Sequence, residues 1–116
     1  MKQETIDLVL KFRDDRNWRQ FHNPKDLAIS LNLEAAELLE IFQWSGTDLD
    51  CTEKKDRIAE ELADVLSYCI SLADVCGLDL DEIVQKKVAR NSEKYPVDKA
   101  YGNKAKYTEL KSDSRS

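Results

Sequence analysis

The stretch NPKDLAISLNLEAAELLEIFQW, residues 23–44, predicts more of the fold than any other segment of the chain. Asn23 is a favourable N-cap residue and Pro24 suits the first helical position. Asp26 lies in the first turn, where the positive end of the helix dipole favours an acid. Apolar residues then recur at helical spacing, so we expect one helix that continues to about Trp44.

Amphipathic segments on either side of this stretch predict three more helices. The first covers about residues 5–16, and another covers about residues 53–76, with Gly77 just beyond its end. The last begins at residue 79 or 81 and ends before Tyr95-Pro96, because the residue that precedes a proline avoids the helical region. The pattern therefore predicts four helices in the chain.

The composition also favours helices over a turn-rich sheet. The chain has 116 residues, a hydrophobic fraction of 41%, and only three glycines and two prolines. We expect an all-α, four-helix bundle-like protomer that forms one domain over residues 1–110, with residues 111–116 as a disordered tail. A helical unit this small has much surface for its core, so we also expect it to associate with copies of itself.

The charge and hydropathy exclude several classes of partner. A net charge of -5 and a pI near 4.9 argue against binding to a nucleic-acid polymer, which usually requires a basic face. The sequence has no apolar stretch of membrane-spanning length, and its start, MKQE, lacks the apolar run of a signal peptide. We therefore expect a cytoplasmic protein that binds neither nucleic acid nor membrane.

Two of the predicted helices carry a pair of acids at i, i+3 spacing: Glu34 with Glu37, and Glu61 with Asp64. At helical geometry Glu34 and Glu61 lie on the edge of the apolar stripe, and the other two lie further round. An ionised carboxylate on an inward edge is costly unless a cation or hydrogen bonds compensate it. If the helices pack antiparallel with these edges facing, all four acids converge, and a hard divalent ion is the natural counter-charge.

The donor types narrow the choice of metal. Di-iron bundles use Glu-x-x-His motifs, and the single histidine, His22, lies outside both acidic motifs. Oxygen ligands alone predict Mg²⁺, with Mn²⁺ as a substitute. A solvated acidic surface with no metal is the alternative interpretation, and the periodicity alone leaves both open.

These acidic motifs resemble the E-x-x-E…E-x-x-D signature of the MazG-like all-α NTP pyrophosphatases, on the dCTP pyrophosphatase branch. The resemblance extends from about residue 6 to residue 110, nearly the whole chain. It includes five motifs in order: NWRQFHNP at 17–24, LEIFQW at 39–44, EELADVL at 60–66, Lys87…Asn91…Tyr95-Pro96, and KYT at 106–108.

The resemblance implies a Mg²⁺-dependent enzyme that hydrolyses an NTP or dNTP, dCTP-like ones favoured, to the monophosphate and pyrophosphate. Its implied role is housekeeping of the nucleotide pool. It also implies a protomer that assembles into dimers or tetramers, with active sites near subunit contacts. The implied catalytic and metal-binding residues are Glu34, Glu37, Glu61 and Asp64. The implied substrate-binding residues are Trp18, His22, Trp44 and Tyr68 for the base and sugar, and Lys87, Asn91 and Tyr95 for the phosphates or the sugar.

Several alternatives stay open at this point. A phosphoribosyl-ATP pyrophosphatase shares the helical architecture and the metal chemistry, although the tryptophan-rich connections favour the dCTP branch. A non-enzymatic helical interaction module is a reading from another class. Glu37 is our first choice as the general base and Glu34 the second, and the coverage of the site by the segment around Lys106-Tyr107 is left open.

Overall fold

The computed structural model describes residues 1–102 and 104, and every regular element within them is helical. The predicted all-α class is therefore confirmed for these residues. The α-helices are α1 (Gln3–Asp15), α2 (Pro24–Glu40), α3 (Lys55–Val75), α4 (Leu80–Lys94) and α5 (Val97–Ala100), and two 3₁₀ helices cover Trp18–Phe21 and Thr52–Lys54. Lys106-Tyr107 and the predicted tail lie outside the described residues.

The start of α2 follows the local sequence signals. The Asn23 Oδ1 atom accepts the backbone N–H of Asp26 at 2.9 Å, and the Asn23 amide donates to the Asp26 carboxylate at 2.7 Å. Pro24 occupies the first helical position, where its missing N–H leaves no bond unmade. The predicted start of this helix is confirmed.

The predicted end of α2 near Trp44 is wrong, because the helix ends at Glu40. The chain then tightens into i→i+3 turns, in which the Phe42 N–H donates to the Leu39 carbonyl at 2.9 Å. Ile41, just past the helix, is still only 1% exposed. The apolar pattern thus continues beyond the helix, which is why periodicity overestimated its length.

The end of α3 was predicted correctly from Gly77. This glycine has φ +67°, a left-handed conformation, and the Leu78 N–H donates to the Ala73 carbonyl at 2.8 Å. The Gly77 N–H donates to the Asp74 carbonyl at 3.1 Å. Together these two bonds form a Schellman motif, which satisfies the last carbonyls of the helix.

The chain divides into two compact units, one from Met1 to Leu80 and one that begins at Asp81. In the first, α2 packs against α3 over their length, and α1 packs more sparsely against α3. Its buried apolar residues are Leu27, Ile41, Cys51, Ile70 and Ala73. The second unit comprises nearly all of α4, and α5, which the sequence did not predict. The single domain over residues 1–110 stays a prediction.

The connection between α2 and α3 is held by a buried thiol. Cys51 is 3% exposed and has φ +46°, and its Sγ lies 3.9 Å from the Ile41 carbonyl and 3.7 Å from that of Asp48. The Asp48 carboxylate also accepts the Cys51 N–H at 3.2 Å. The two ends of this connection are therefore fixed to each other.

Much of the predicted apolar stripe on α3 is exposed. Leu62 is 46% exposed and Leu66 43%, although both occupy helical positions that predict burial. A small protomer has too few layers to cover every apolar face of its central helix. Among the described residues, no helix combines the length and apolar character needed to cross a bilayer.

Candidate metal and substrate site

The packing of α2 against α3 brings the two acidic pairs together. One carboxylate oxygen from each of Glu34, Glu61 and Asp64 lies within 4.8 Å of the others. The carboxyl group of Glu37 lies close enough to those of Glu34 and Glu61 to raise the pKa of both. We call these four residues the acidic cluster.

No basic residue belongs to the acidic cluster, and the pKa values of Glu34 and Glu61 are raised. Burial, the hydrogen bond with Glu37 and the neighbouring negative charges raise the pKa of Glu34 to about 7. The pKa of Glu61 is raised by burial first and then by Glu37 and Asp64, while Arg57 opposes the shift. Burial and the neighbouring acids therefore favour the retention of a proton by Glu34 near neutral pH when no metal is bound.

Two oxygens of the cluster indicate a site for a cation. The Oε2 atoms of Glu34 and of Glu61 are buried and have no hydrogen-bond partner among the described residues. A buried carboxylate oxygen without a partner is costly, and a cation would satisfy both of them at once. Because all the donors are carboxylate oxygens, the cluster fits a hard divalent ion.

A cavity of about 430 Å³ lies beside the acidic cluster, within the first unit. Glu34 and Asp64 belong to both the cluster and the cavity wall. Three of the predicted substrate ligands also line it: Trp18, His22 and Tyr68. The remaining lining residues are Leu8, Val9, Phe12, Arg13, Ser67 and Ser71. The cavity thus joins an acidic end to a mostly apolar and aromatic interior.

The other predicted substrate ligands belong to other parts of the chain. Trp44 is not among the cavity-lining residues and is 88% exposed. Lys87 and Asn91 are exposed on α4 in the second unit, and Tyr95 follows that helix. The Tyr95 N–H donates to the Asn91 carbonyl at 2.8 Å.

An aromatic corner forms one side of the cavity. The rings of Phe12 and Trp18 meet edge to face, with centroids 5.7 Å apart and an interplanar angle of 75°. The guanidinium of Arg16 lies 3.6 Å from the centroid of the Phe12 ring. The edge-to-face contact and the cation–π contact hold these two rings in place. A flat group bound in the cavity would meet them.

His22 lines the cavity and carries a buried polar atom that has no partner in the described part of the chain. Its Nδ1 is buried and lacks a hydrogen bond among the described residues. Burial, and then the charge of Arg13, lower the pKa of His22, which favours the neutral imidazole at neutral pH. This nitrogen is therefore available for one hydrogen bond with a ligand.

Sequence reasoning did not identify six of the residues that line the cavity. The sequence pattern that could have identified them differs from one residue to the next. Ser67 and Ser71 follow Asp64 at i+3 and i+7, the same helical face as Tyr68, so periodicity was sufficient to find them. Arg13 gave no such signal, because its partner Asp74 lies 61 residues away along the chain.

The chain is similar to several known proteins. The chain is 38% identical over 108 residues to dCTP pyrophosphatase 1 of Mus musculus and 41% identical to that of Rattus norvegicus. These matches cover 89% of this chain and 64% of each relative, so the chain spans less than two thirds of their length. A solved pyrophosphatase structure from Archaeoglobus fulgidus aligns with a TM-score of 0.75 at 44% identity, over 81% of this chain and 91% of that one.

A family model described as MazG-like matches residues 29–110, which include all of the acidic cluster. This match covers well over half of the chain, and the archaeal structure shares its fold. The chain therefore belongs to the MazG-like family.

Proposed function

We propose that this protein is a Mg²⁺-dependent nucleoside triphosphate pyrophosphohydrolase, which hydrolyses an NTP or dNTP to the monophosphate and pyrophosphate. One observation carries the proposal: Glu34 and Asp64 belong both to the acidic cluster and to the cavity wall. A ligand that places its base and sugar in the cavity therefore has its phosphates next to the cation-binding oxygens.

The four acids have different proposed roles in the reaction. Glu34, Glu61 and Asp64 would hold Mg²⁺, or Mn²⁺ in its place, with Glu37 beside them. When bound, the ion neutralises triphosphate charge and stabilises the leaving pyrophosphate. Glu37 is our first choice, and Glu34 the second, to accept the proton of the attacking water. The water oxygen bonds to the α-phosphorus as the bond from that phosphorus to the pyrophosphate oxygen breaks.

The cavity interior supports a nucleoside as the bound group. Trp18 and Phe12 offer aromatic surfaces, and His22 Nδ1 offers one hydrogen bond. The curated relatives are named as dCTP pyrophosphatases, so we propose a dCTP-like substrate and a housekeeping role in the nucleotide pool. We retain Lys87, Asn91 and Tyr95 as proposed ligands of the phosphates or the sugar.

Exposed apolar side chains support an oligomer. Large hydrophobic residues of the first unit that lie open to solvent include Leu8, Phe12, Ile29, Leu33, Leu39, Trp44, Leu49, Leu62 and Leu66. Burial of these side chains against another copy of the chain would remove their apolar surface from water, which favours association. We propose a dimer or tetramer of the bundle-like protomer in the cytoplasm, with Trp44 acting across a subunit contact. Light scattering should then give two or four times the 13.4 kDa chain mass, and a monomer would contradict the assembly.

Pyrophosphate release from a panel of canonical and modified NTPs and dNTPs, with Mg²⁺ and with EDTA, tests the activity. We expect metal-dependent release that is greatest for dCTP-like substrates. Release from phosphoribosyl-ATP alone would favour that alternative enzyme. No release from any of these compounds, by protein with a normal helical circular dichroism spectrum, would favour a helical interaction module instead.

A further inference from the structure

Asp74, near the end of α3, binds two arginines through a single oxygen. Its Oδ2 accepts a hydrogen bond from Arg13 Nη1 at 2.7 Å and another from Arg19 Nη1 at 2.9 Å. The Arg13 Nε also donates to the Asp14 carboxylate at 2.9 Å. The Arg13 side chain is only 6% exposed, whereas that of Arg19 is 57% exposed. A buried guanidinium needs such partners, since its charge is costly without them.

The two arginines come from either side of a bend in the chain. Arg13 belongs to α1, Asn17 has φ +55°, and Arg19 belongs to the 3₁₀ helix Trp18–Phe21. This 3₁₀ helix begins with Trp18 and is followed by His22, both of which line the cavity. Residues 13–22 therefore form one wall of the cavity, and α3 forms another through Asp64, Ser67, Tyr68 and Ser71.

Asp74 is the polar link between these walls. Among the described residues, both hydrogen bonds that join residues 13–22 to α3 end on Asp74. Other hydrogen bonds of the bend are made with α1, such as the Asn17 N–H donating to the Asp14 carbonyl at 3.0 Å, or within the bend itself, such as the Gln20 amide donating to the Asn17 carbonyl at 3.0 Å. Asp74 itself does not line the cavity.

We propose that Asp74 is a positioning residue, which holds Trp18 and His22 at the distance from α3 that the nucleoside part of the substrate requires. The inference rests on the proposed function and deepens it. Asp74 acts through Arg13 and Arg19 and is not one of the acids that would hold the metal. Loss of its carboxylate charge loosens the wall that binds the nucleoside and leaves the acidic cluster in place.

A split between KM and kcat tests the proposal. Asp74→Asn should raise KM for the best nucleotide about tenfold and change kcat less than about twofold, the pattern expected when ground-state binding alone is lost. Arg19→Gln should raise KM in the same direction, and Arg19→Lys should restore part of it. In the Asp74→Asn background, Arg19→Gln should add nothing, because the shared partner is already lost.

The matched control is Asp15→Asn. It removes an exposed ion pair with Lys11, also 2.7 Å long, that does not line the cavity. This variant should keep the wild-type KM. A folded Asp74→Asn or Arg19→Gln enzyme with wild-type KM would overturn the proposal. It would also be overturned if the Asp15→Asn control changed kcat and KM in the same way as these two variants.

A second readout does not depend on activity. In a Trp44→Phe background, Trp18 is the remaining tryptophan, because the sequence has two. Acrylamide should quench its fluorescence more strongly after Asp74→Asn than after Asp15→Asn. Equal quenching in the two variants would overturn the positioning role, whatever their KM values are. A wild-type protein that releases no pyrophosphate would overturn the proposed function, but the fluorescence readout would still test the position of Trp18. Arg19→Gln, at an exposed position, serves if Asp74→Asn does not fold.

Discussion

Glu34 on α2 and Glu61 on α3 each hold a buried Oε2 atom with no hydrogen-bond partner in the described part of the chain, and the two carboxyl groups lie within reach of one ion. The two helices that make the main packing contact of the first unit therefore also carry two of the three buried side-chain polar atoms that lack a partner among the described residues. Helix packing and cation binding are linked at this contact.

Glu61→Gln should reduce turnover at least roughly 100-fold, because it removes a negative charge that would hold the cation at the reacting phosphate. Pyrophosphate release measures the effect, and circular dichroism should show an unchanged helical content. Glu60→Gln, the same change at the adjacent exposed position, is the control and should stay close to wild type. Near-normal turnover of the Glu61→Gln enzyme would remove Glu61 from the site.

The metal-free protein should lose stability as the pH rises from about 4.5 to 7, to the extent that Glu34 contributes. The pKa of Glu34 is raised from 4.5 to about 7 in the folded chain, so in this range the folded state binds more protons than the unfolded state. Urea unfolding in EDTA at several pH values should show a shallower decline for Glu34→Gln. Glu40→Gln, an exposed acid on the same helix, should keep the wild-type slope. Identical slopes in Glu34→Gln and wild type would show that the pKa of Glu34 is not raised in the folded chain.

Mg²⁺ should raise the melting temperature, and more strongly with a non-hydrolysable nucleotide present. A ligand at 100 times its dissociation constant stabilises the folded state by about 2.7 kcal/mol. The shift should be larger at pH 7.5 than at pH 5.5, where protons compete for the carboxylates. Differential scanning fluorimetry measures it, EDTA should reverse it, and Glu61→Gln should lack it. An equal shift in Glu61→Gln would place the ion elsewhere.

Gly77→Ala should lower the free energy of unfolding by about 1 kcal/mol, the cost of a left-handed conformation for a residue with a Cβ atom. The position has φ +67° and no atom within 4 Å of an added Cβ, so the penalty is one of backbone conformation alone. Gly77→Asn should cost less, because asparagine tolerates this region better. Chemical denaturation compares the three proteins, and equal stability would argue against the Schellman motif at the end of α3.

The features predictable from the sequence were those with a local cause. Asn23 and Pro24 start α2, and Gly77 ends α3, because each acts on backbone groups within a few residues. The meeting of Glu34 with Glu61 was also predictable, since their positions on two stripe edges follow from helical periodicity.

Features that depend on tertiary contacts were not predictable in this way. Arg13 meets Asp74 across 61 residues, and no spacing rule relates them. The chain past Glu40 keeps an apolar pattern but not a helical backbone, because tertiary packing buries Ile41 in a turn. Trp44 carries a strong sequence signal and yet is 88% exposed and does not line the cavity, because no local spacing rule determines which aromatic residues the packing of α1, α2 and α3 brings together.

Because the Cys51 thiol is buried, its reactivity reports on local opening of the structure. A thiol that is 3% exposed meets an alkylating reagent only when the connection between α2 and α3 opens, whereas Cys76 at the end of α3 is accessible at all times. The ratio of the two labelling rates is therefore a direct measure of how often that connection opens. Since this connection joins the two helices that carry the acidic cluster, the same ratio measured with and without Mg²⁺ would tell how far an ion at the cluster suppresses the opening of the connection.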